Sequence, residues 1–168
     1  SIESMGLVDG PGVRFVVFMQ GCPLRCKFCH NPETWDLNGK ANCYTPEELI
    51  KKILNYKPYF KHNGGVTFSG GEPLMQKEFL LECLKLCKKN NIHTCLDTAG
   101  SILNVEEILK YTDLVMFDIK GTNKYNYKNM TGFNIENSLK FLNLCEKLNK
   151  KLWIRVVIVP GINDTEEY

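Results

Sequence analysis

Phe15-Val-Val-Phe-Met-Gln-Gly-Cys-Pro-Leu-Arg-Cys-Lys-Phe-Cys-His-Asn31 joins two signals in one stretch. Its first five residues are a continuous apolar run of β-branched and aromatic side chains, the make-up of a buried strand. Its second half carries Cys22, Cys26 and Cys29 in the spacing C-x3-C-x2-C. The strand therefore opens directly into a loop of three thiols. In parallel α/β sheets, functional residues collect beyond the carboxyl ends of the strands.

Outward from this stretch the chain alternates strand-like and helix-like segments. Gly65–Ser69, Thr94–Asp97, Leu114–Asp118 and Leu152–Val159 read as further strands. Between them, Thr45-Pro-Glu-Glu48 opens a helix with a capping box, and Leu49, Ile50, Ile53 and Leu54 supply its apolar stripe. Lys77–Lys89, Val105–Tyr111 and Ile135–Leu148 read as three more helices. Five strands alternating with helices predict a parallel sheet with crossover connections. A full eight-stranded barrel takes roughly 250 residues, and the chain has 168. A curved sheet in a partial barrel, forming one domain over residues 1–168, is expected. The stretch from Thr165 reads as the start of a helix.

Net charge is +2, so no basic or acidic excess points to nucleic acid or a charged membrane surface. No apolar run approaches the roughly 18 residues of a membrane span. No signal-peptide pattern opens the chain, and a cytoplasmic location is expected. Of eight cysteines, Cys83 and Cys87 share one helix face and, with Cys95 and Cys145, are expected in the core. Cys43 sits in a polar loop.

Three thiols suit two metal chemistries. A cubane [4Fe–4S] cluster has four irons, so three cysteines leave one iron open to a ligand that is not protein. A zinc site of three cysteines and one histidine needs a fourth ligand, and His30 adjoins Cys29, leaving His62 or His93. At the other strand ends stand Ser69-Gly70-Gly71-Glu72-Pro73, Asp97-Thr98, Asp118-Ile119-Lys120 and Arg155. Adjacent glycines let a backbone approach a ligand. Asp118 and Lys120 share a strand face, fit to grip a polar ligand or to form a salt bridge. Asp97-Thr98 suits a cation or a polar group, and Thr98 alone suits a helix cap. Arg155 in an apolar strand must meet an acid, an anionic ligand or solvent.

Taken together, these motifs resemble the radical S-adenosylmethionine (SAM) enzymes. Glu3–Arg14, Phe18–Cys22, Cys29–Asn31, Thr34–Asp36, Leu96–Thr98, Thr112–Met116 and Trp153–Arg155 resemble, more narrowly, the pyruvate formate-lyase activating enzymes. The resemblance implies an α/β, partial (β/α)6 TIM-like barrel. That family has a sixth strand and helix, so the domain is expected to be incomplete at its C-terminus, truncated after the fifth strand. It implies a [4Fe–4S] cluster on Cys22, Cys26 and Cys29, and SAM on the open iron. Reductive SAM cleavage then precedes hydrogen abstraction from a glycine of pyruvate formate-lyase. Phe28, Cys29, His30, Gly70, Gly71, Glu72, Asp97, Asp118, Ile119, Lys120 and Arg155 would lie around SAM. Asp97, Thr98 and Met116 would match a monovalent-cation site, and Asp9 would face the substrate glycine loop. Flavodoxin or ferredoxin would supply the electron to a monomeric protein.

Two alternatives stand beside this reading. One is an activator of another glycyl radical enzyme or of anaerobic ribonucleotide reductase. Many such activators carry a ferredoxin-like insert with extra cysteine motifs, whereas only Cys43 lies between Cys29 and Thr45. The other is a non-catalytic iron–sulfur or zinc module, which would need neither the glycine turn nor the strand-end acids.

Overall fold

The computed structural model describes residues 1–166. The chain runs β1 (Ile2–Gly6), β2 (Arg14–Met19), α1 (Pro46–Phe60), β3 (Gly65–Gly70), α2 (Lys77–Lys89), β4 (His93–Thr98), α3 (Glu106–Lys110), β5 (Leu114–Ile119), α4 (Lys124–Thr131), α5 (Glu136–Lys147) and β6 (Lys151–Val156). One sheet holds all six strands in sequence order. Strands β2 to β6 are parallel, and β1 runs antiparallel on the β2 edge. The five expected strands are therefore β2–β6, and the fold class read from the sequence holds. β1 is an addition, since Ile2-Glu-Ser-Met-Gly6 has too little apolar alternation to announce a strand.

Helix α1 begins as its capping box requires. The Thr45 hydroxyl accepts from Glu48 N, and the Glu48 carboxylate accepts from Thr45 N. α4 was not expected, because Lys124-Tyr-Asn-Tyr-Lys-Asn-Met-Thr131 has no apolar stripe. Its ends are marked instead, by Asn123 accepting from Asn126 N and by Gly132 at φ 77°. β6 stops at Val156, three residues earlier than expected. There the buried Asn163 side chain donates to Val157 O at 2.8 Å and accepts from Val159 N, folding the chain into a turn. The helix expected from Thr165 lies largely outside the described residues.

The two faces of the sheet differ by strand alternation. Phe15, Val17, Val66, Phe68, Leu96, Val115 and Phe117 point to the helices and form the main core with residues such as Leu49, Leu80, Leu84 and Phe141. Cys83, Cys87 and Cys145 join that core, as expected. On the other face, Cys95, Leu114 and Met116 form a small separate cluster. Above it, toward the carboxyl ends, that face turns polar and lines a cavity.

Candidate active site

The cysteine loop leaves β2 at Gly21, whose φ of 96° suits glycine. Backbone bonds then pin it on two sides. Gly21 N donates to Thr34 O at 2.8 Å and Cys22 N to Trp35 O at 3.1 Å. Arg25 N donates to Thr131 O at 2.9 Å and Lys27 N to Met130 O at 3.0 Å, so the end of α4 is the loop's second support. The Arg25 guanidinium lies 4.9 Å over the Trp35 ring. Cys22, Cys26 and Cys29 are half-buried and face one cavity of about 710 Å³. Burial pushes the Cys22 thiol up to about 12 and also raises Cys26. These thiols stay protonated at neutral pH until a metal centre displaces the protons.

Gly70-Gly71 also borders the cavity, and here the residues serve a purpose the sequence reading did not foresee. A Cβ on Gly70 would stand 2.4 Å from Met19 N, and one on Gly71 would stand 2.4 Å from Gly21 O. The close approach is to the protein's own backbone. It lets Glu72 N donate to Gly21 O at 2.7 Å, clamping the end of β3 under the cysteine loop. Glu72 is 1 % exposed, and its carboxylate accepts from Thr98 Oγ1 at 2.7 Å, Ala99 N at 3.2 Å and Leu74 N at 3.3 Å. Burial lifts its pKa to about 7 against those donors. The Glu72 carboxylate, which also borders the cavity, holds the loop after β4. Thr98 is no helix cap, since its hydroxyl donates to Glu72 and accepts from Gly100 N at 2.9 Å within that loop.

Four charges alternate across the ends of β4, β5 and β6. Asp97 accepts from Ser69 Oγ at 2.7 Å and Arg155 Nη2 at 2.6 Å. Asp118 accepts from Arg155 Nε at 2.7 Å and Lys120 Nζ at 2.8 Å. Arg155 thus meets two acids, as its place in an apolar strand demanded, because β5–β6 register sets it opposite Asp118. Burial favours a neutral Asp97 and raises its pKa, with Arg155 opposing. Burial also works against an ionised Asp118, but the Arg155 bond and the Lys120 charge outweigh it and hold that carboxyl low. Burial opposes charge on Lys120 too, and Asp118 outweighs it. The Lys120 ammonium stands 5.1 Å over the Phe28 ring.

Asp9, Phe28, His30, Asp97, Thr98, Asp118, Lys120 and Arg155 all border the cavity with the three cysteines. Two expected residues do not. Ile119, one step from Asp118, turns by strand alternation to the helix side and packs against the main core. Met116 lies one layer lower, with Cys95 and Leu114. Ser69 on Asp97 and Thr67 beneath it were missed as partners. The alternation in Val66-Thr67-Phe68-Ser69 was the available signal, since it puts both hydroxyls on the polar face.

Residues 16–167 match the family described as Radical SAM superfamily. The pyruvate formate-lyase-activating enzyme of Clostridium pasteurianum is 57% identical over 169 residues, covering 99% of this chain and 71% of its own. The pyruvate formate-lyase 1-activating enzyme of Escherichia coli K12 is 44% identical over 172 residues, covering 99% and 70%. The chain belongs to the radical SAM superfamily, among the pyruvate formate-lyase-activating enzymes. Streptococcus suis SuiB, solved bound to precursor peptide SuiA, superposes at a TM-score of 0.73 with 19% identity over 95% of this chain and 35% of its own. At that identity the likeness speaks for the fold alone.

The cofactors of this radical SAM enzyme are a [4Fe–4S] cluster and SAM, and the donor set fits them. Among the described residues, no three His, Cys, Asp or Glu side chains converge closely enough to hold a single metal ion. His93 is far from the thiols, beside Arg14 at the opposite end of the sheet. His93 thus supplies no fourth zinc ligand, whereas three thiols on one cavity suit a cluster with one open iron. The remaining cavity carries both signs of charge, as a zwitterionic amino-acid group requires.

Proposed function

We propose that this protein installs a glycyl radical on pyruvate formate-lyase. One observation carries the reading: the cysteine loop, the Asp97–Arg155–Asp118–Lys120 charge array and Asp9 open onto one cavity. Cys22, Cys26 and Cys29 would hold the cluster, leaving one iron for SAM. The cluster and SAM, once bound and reduced by one electron, supply a 5′-deoxyadenosyl radical able to take hydrogen from a glycine.

The chain's own groups bind, orient and exclude water. Lys120 and Arg155 offer cationic donors to the SAM carboxylate, and Asp118, held ionised by both, offers an acceptor to hydroxyl and ammonium groups. Phe28 and His30 close the side next to Cys29. Asp97 and Thr98, which border the cavity, would serve a monovalent cation, whereas Met116 lies below it. Asp9 faces the incoming glycine-bearing segment. Flavodoxin or ferredoxin delivers the electron, and the protein works as a cytoplasmic monomer.

The test is anaerobic reconstitution of the full-length enzyme with iron and sulfide, reduction, and addition of SAM and pyruvate formate-lyase. A glycyl radical signal by electron paramagnetic resonance is expected, together with loss of cluster and SAM cleavage in Cys26→Ala. Efficient SAM cleavage without any radical on pyruvate formate-lyase would show that the substrate is another protein.

A further inference from the structure

Arg14, the first residue of β2, is completely buried. Among the described residues it has no ion-pair partner; its donors go to neutral groups. Nε donates to Thr67 Oγ1 at 2.9 Å, Nη1 to Pro11 O at 3.4 Å, and Nη2 to Val66 O and, at 3.4 Å, His93 O. Nη1 also lies 3.2 Å from His93 Nδ1. Burying an unpaired cation is costly, so what these bonds hold in place is informative.

They hold the loop between β1 and β2. The Thr67 hydroxyl, while accepting from Arg14, donates to Asp9 O at 2.6 Å. Pro11 O is held by Arg14 directly. Gly10 lies between them at φ 128°, where a Cβ would be 3.4 Å from Arg14 Nε. The loop is open at Leu7 and Val8, 74% and 85% exposed, and its far end is held at Val13 O, which accepts from Gly65 N at 3.1 Å. The Asp9 carboxylate is seated over Gly6, where a Cβ would come within 2.9 Å of Oδ2. From that seat Asp9 reaches the cavity wall. Strand β3 thus serves both sides of the cavity, with Ser69 on Asp97 and Thr67 on Asp9.

We infer that Arg14 and Thr67 are positioning residues, a buried tether that presents Asp9 to the glycine-bearing segment of the protein substrate. The inference rests on the activase reading for its substrate, but the tether itself has a readout that needs no substrate. Thr67→Val keeps the side-chain shape and removes the hydroxyl.

In the full-length reconstituted enzyme, Thr67→Val should speed amide hydrogen exchange in residues 7–13 by about tenfold, the loss of roughly one hydrogen bond. KM for a peptide copying the glycine segment should rise by about tenfold, with kcat and substrate-free SAM cleavage within about twofold of wild type. Thr67→Ser should restore both. In an Asp9→Asn background, Thr67→Val should add little to KM, since both act through one group. Should Thr67→Val fold poorly, Thr67→Ala removes the same hydroxyl without a branched apolar group, and the same KM rise is expected. Unchanged exchange and KM in Thr67→Val, or an equal loss of substrate-free SAM cleavage, would overturn the tether. A wild-type enzyme that cleaves SAM but radicalises no glycine would count against the activase reading alone, and the exchange rates would still judge the tether.

Discussion

Glu72 and Lys120 show how burial and pairing set the chemistry of single side chains. Glu72 has its pKa raised to about 7 from 4.5, so the folded state keeps a proton that the unfolded chain releases between those values. Its contribution is fully present below pH 4.5 and lost as pH rises to about 7. Measured by denaturant unfolding of the apoprotein, the stability difference between wild type and Glu72→Gln should move by about 3 kcal/mol in favour of the variant across that window. A difference that stays flat with pH would mean an ordinary carboxyl. Lys120, its side chain 14% exposed beside Asp118 and Phe28, is expected to reach SAM. Lys120→Ala should weaken SAM binding by roughly ten- to a hundredfold, the loss of one charged hydrogen bond, with iron content unchanged. Equal SAM affinity, measured by equilibrium dialysis, would reduce the pair to a salt bridge.

The elements around the cysteine loop separate two demands for glycine. At Gly71 the obstacle is steric, with Gly21 O in the way of any Cβ. Gly71→Ala must push the β3 end off the cysteine loop, and a loss of about 2–3 kcal/mol is expected, with lower iron uptake on reconstitution. At Gly132, which ends α4 at φ 77°, no atom lies within 4 Å of a Cβ. Only backbone strain remains, so Gly132→Ala should cost about 1 kcal/mol. Thermal unfolding of the two variants decides the matter; equal losses would show that the Gly21 contact is soft. The difference was not visible in the sequence, where Gly71 read as a place for a ligand and Gly132 carried no signal of its own. α1 was legible because a capping box and a 3.6-residue stripe agree, and α2 by its stripe alone. α4 was not, because it buries little besides Tyr127, Met130 and Thr131 and is held by the loop it supports.

Across the whole molecule, the sheet leaves β6 as an edge with Trp153, Ile154 and Val156 each at least 41% exposed. Unpaired backbone groups beside apolar side chains favour pairing with another strand. The 168-residue chain should therefore self-associate with rising concentration, and Ile154→Lys should reduce that association in sedimentation velocity. Association unaffected by the lysine would place the contact elsewhere.

The short apolar runs of this sequence, alternating with 3.6-residue stripes along α1, α2 and α5, determine a parallel α/β sheet. The thiol spacing and strand-end charges determine a metal- and ligand-bearing carboxyl edge. Both are local properties, written in residues a few positions apart. Which groups meet was decided only by the tertiary structure. Arg155 lies between Asp97 and Asp118 because β6 pairs with β5 in one register. Glu72 holds the loop after β4 because β3 and β4 end side by side. Asp9 faces the cavity because a buried arginine reaches Thr67 across neighbouring strands. Such contacts join positions 26 to 58 residues apart, and hydrogen bonds of that kind leave no period in a sequence for a reader to find.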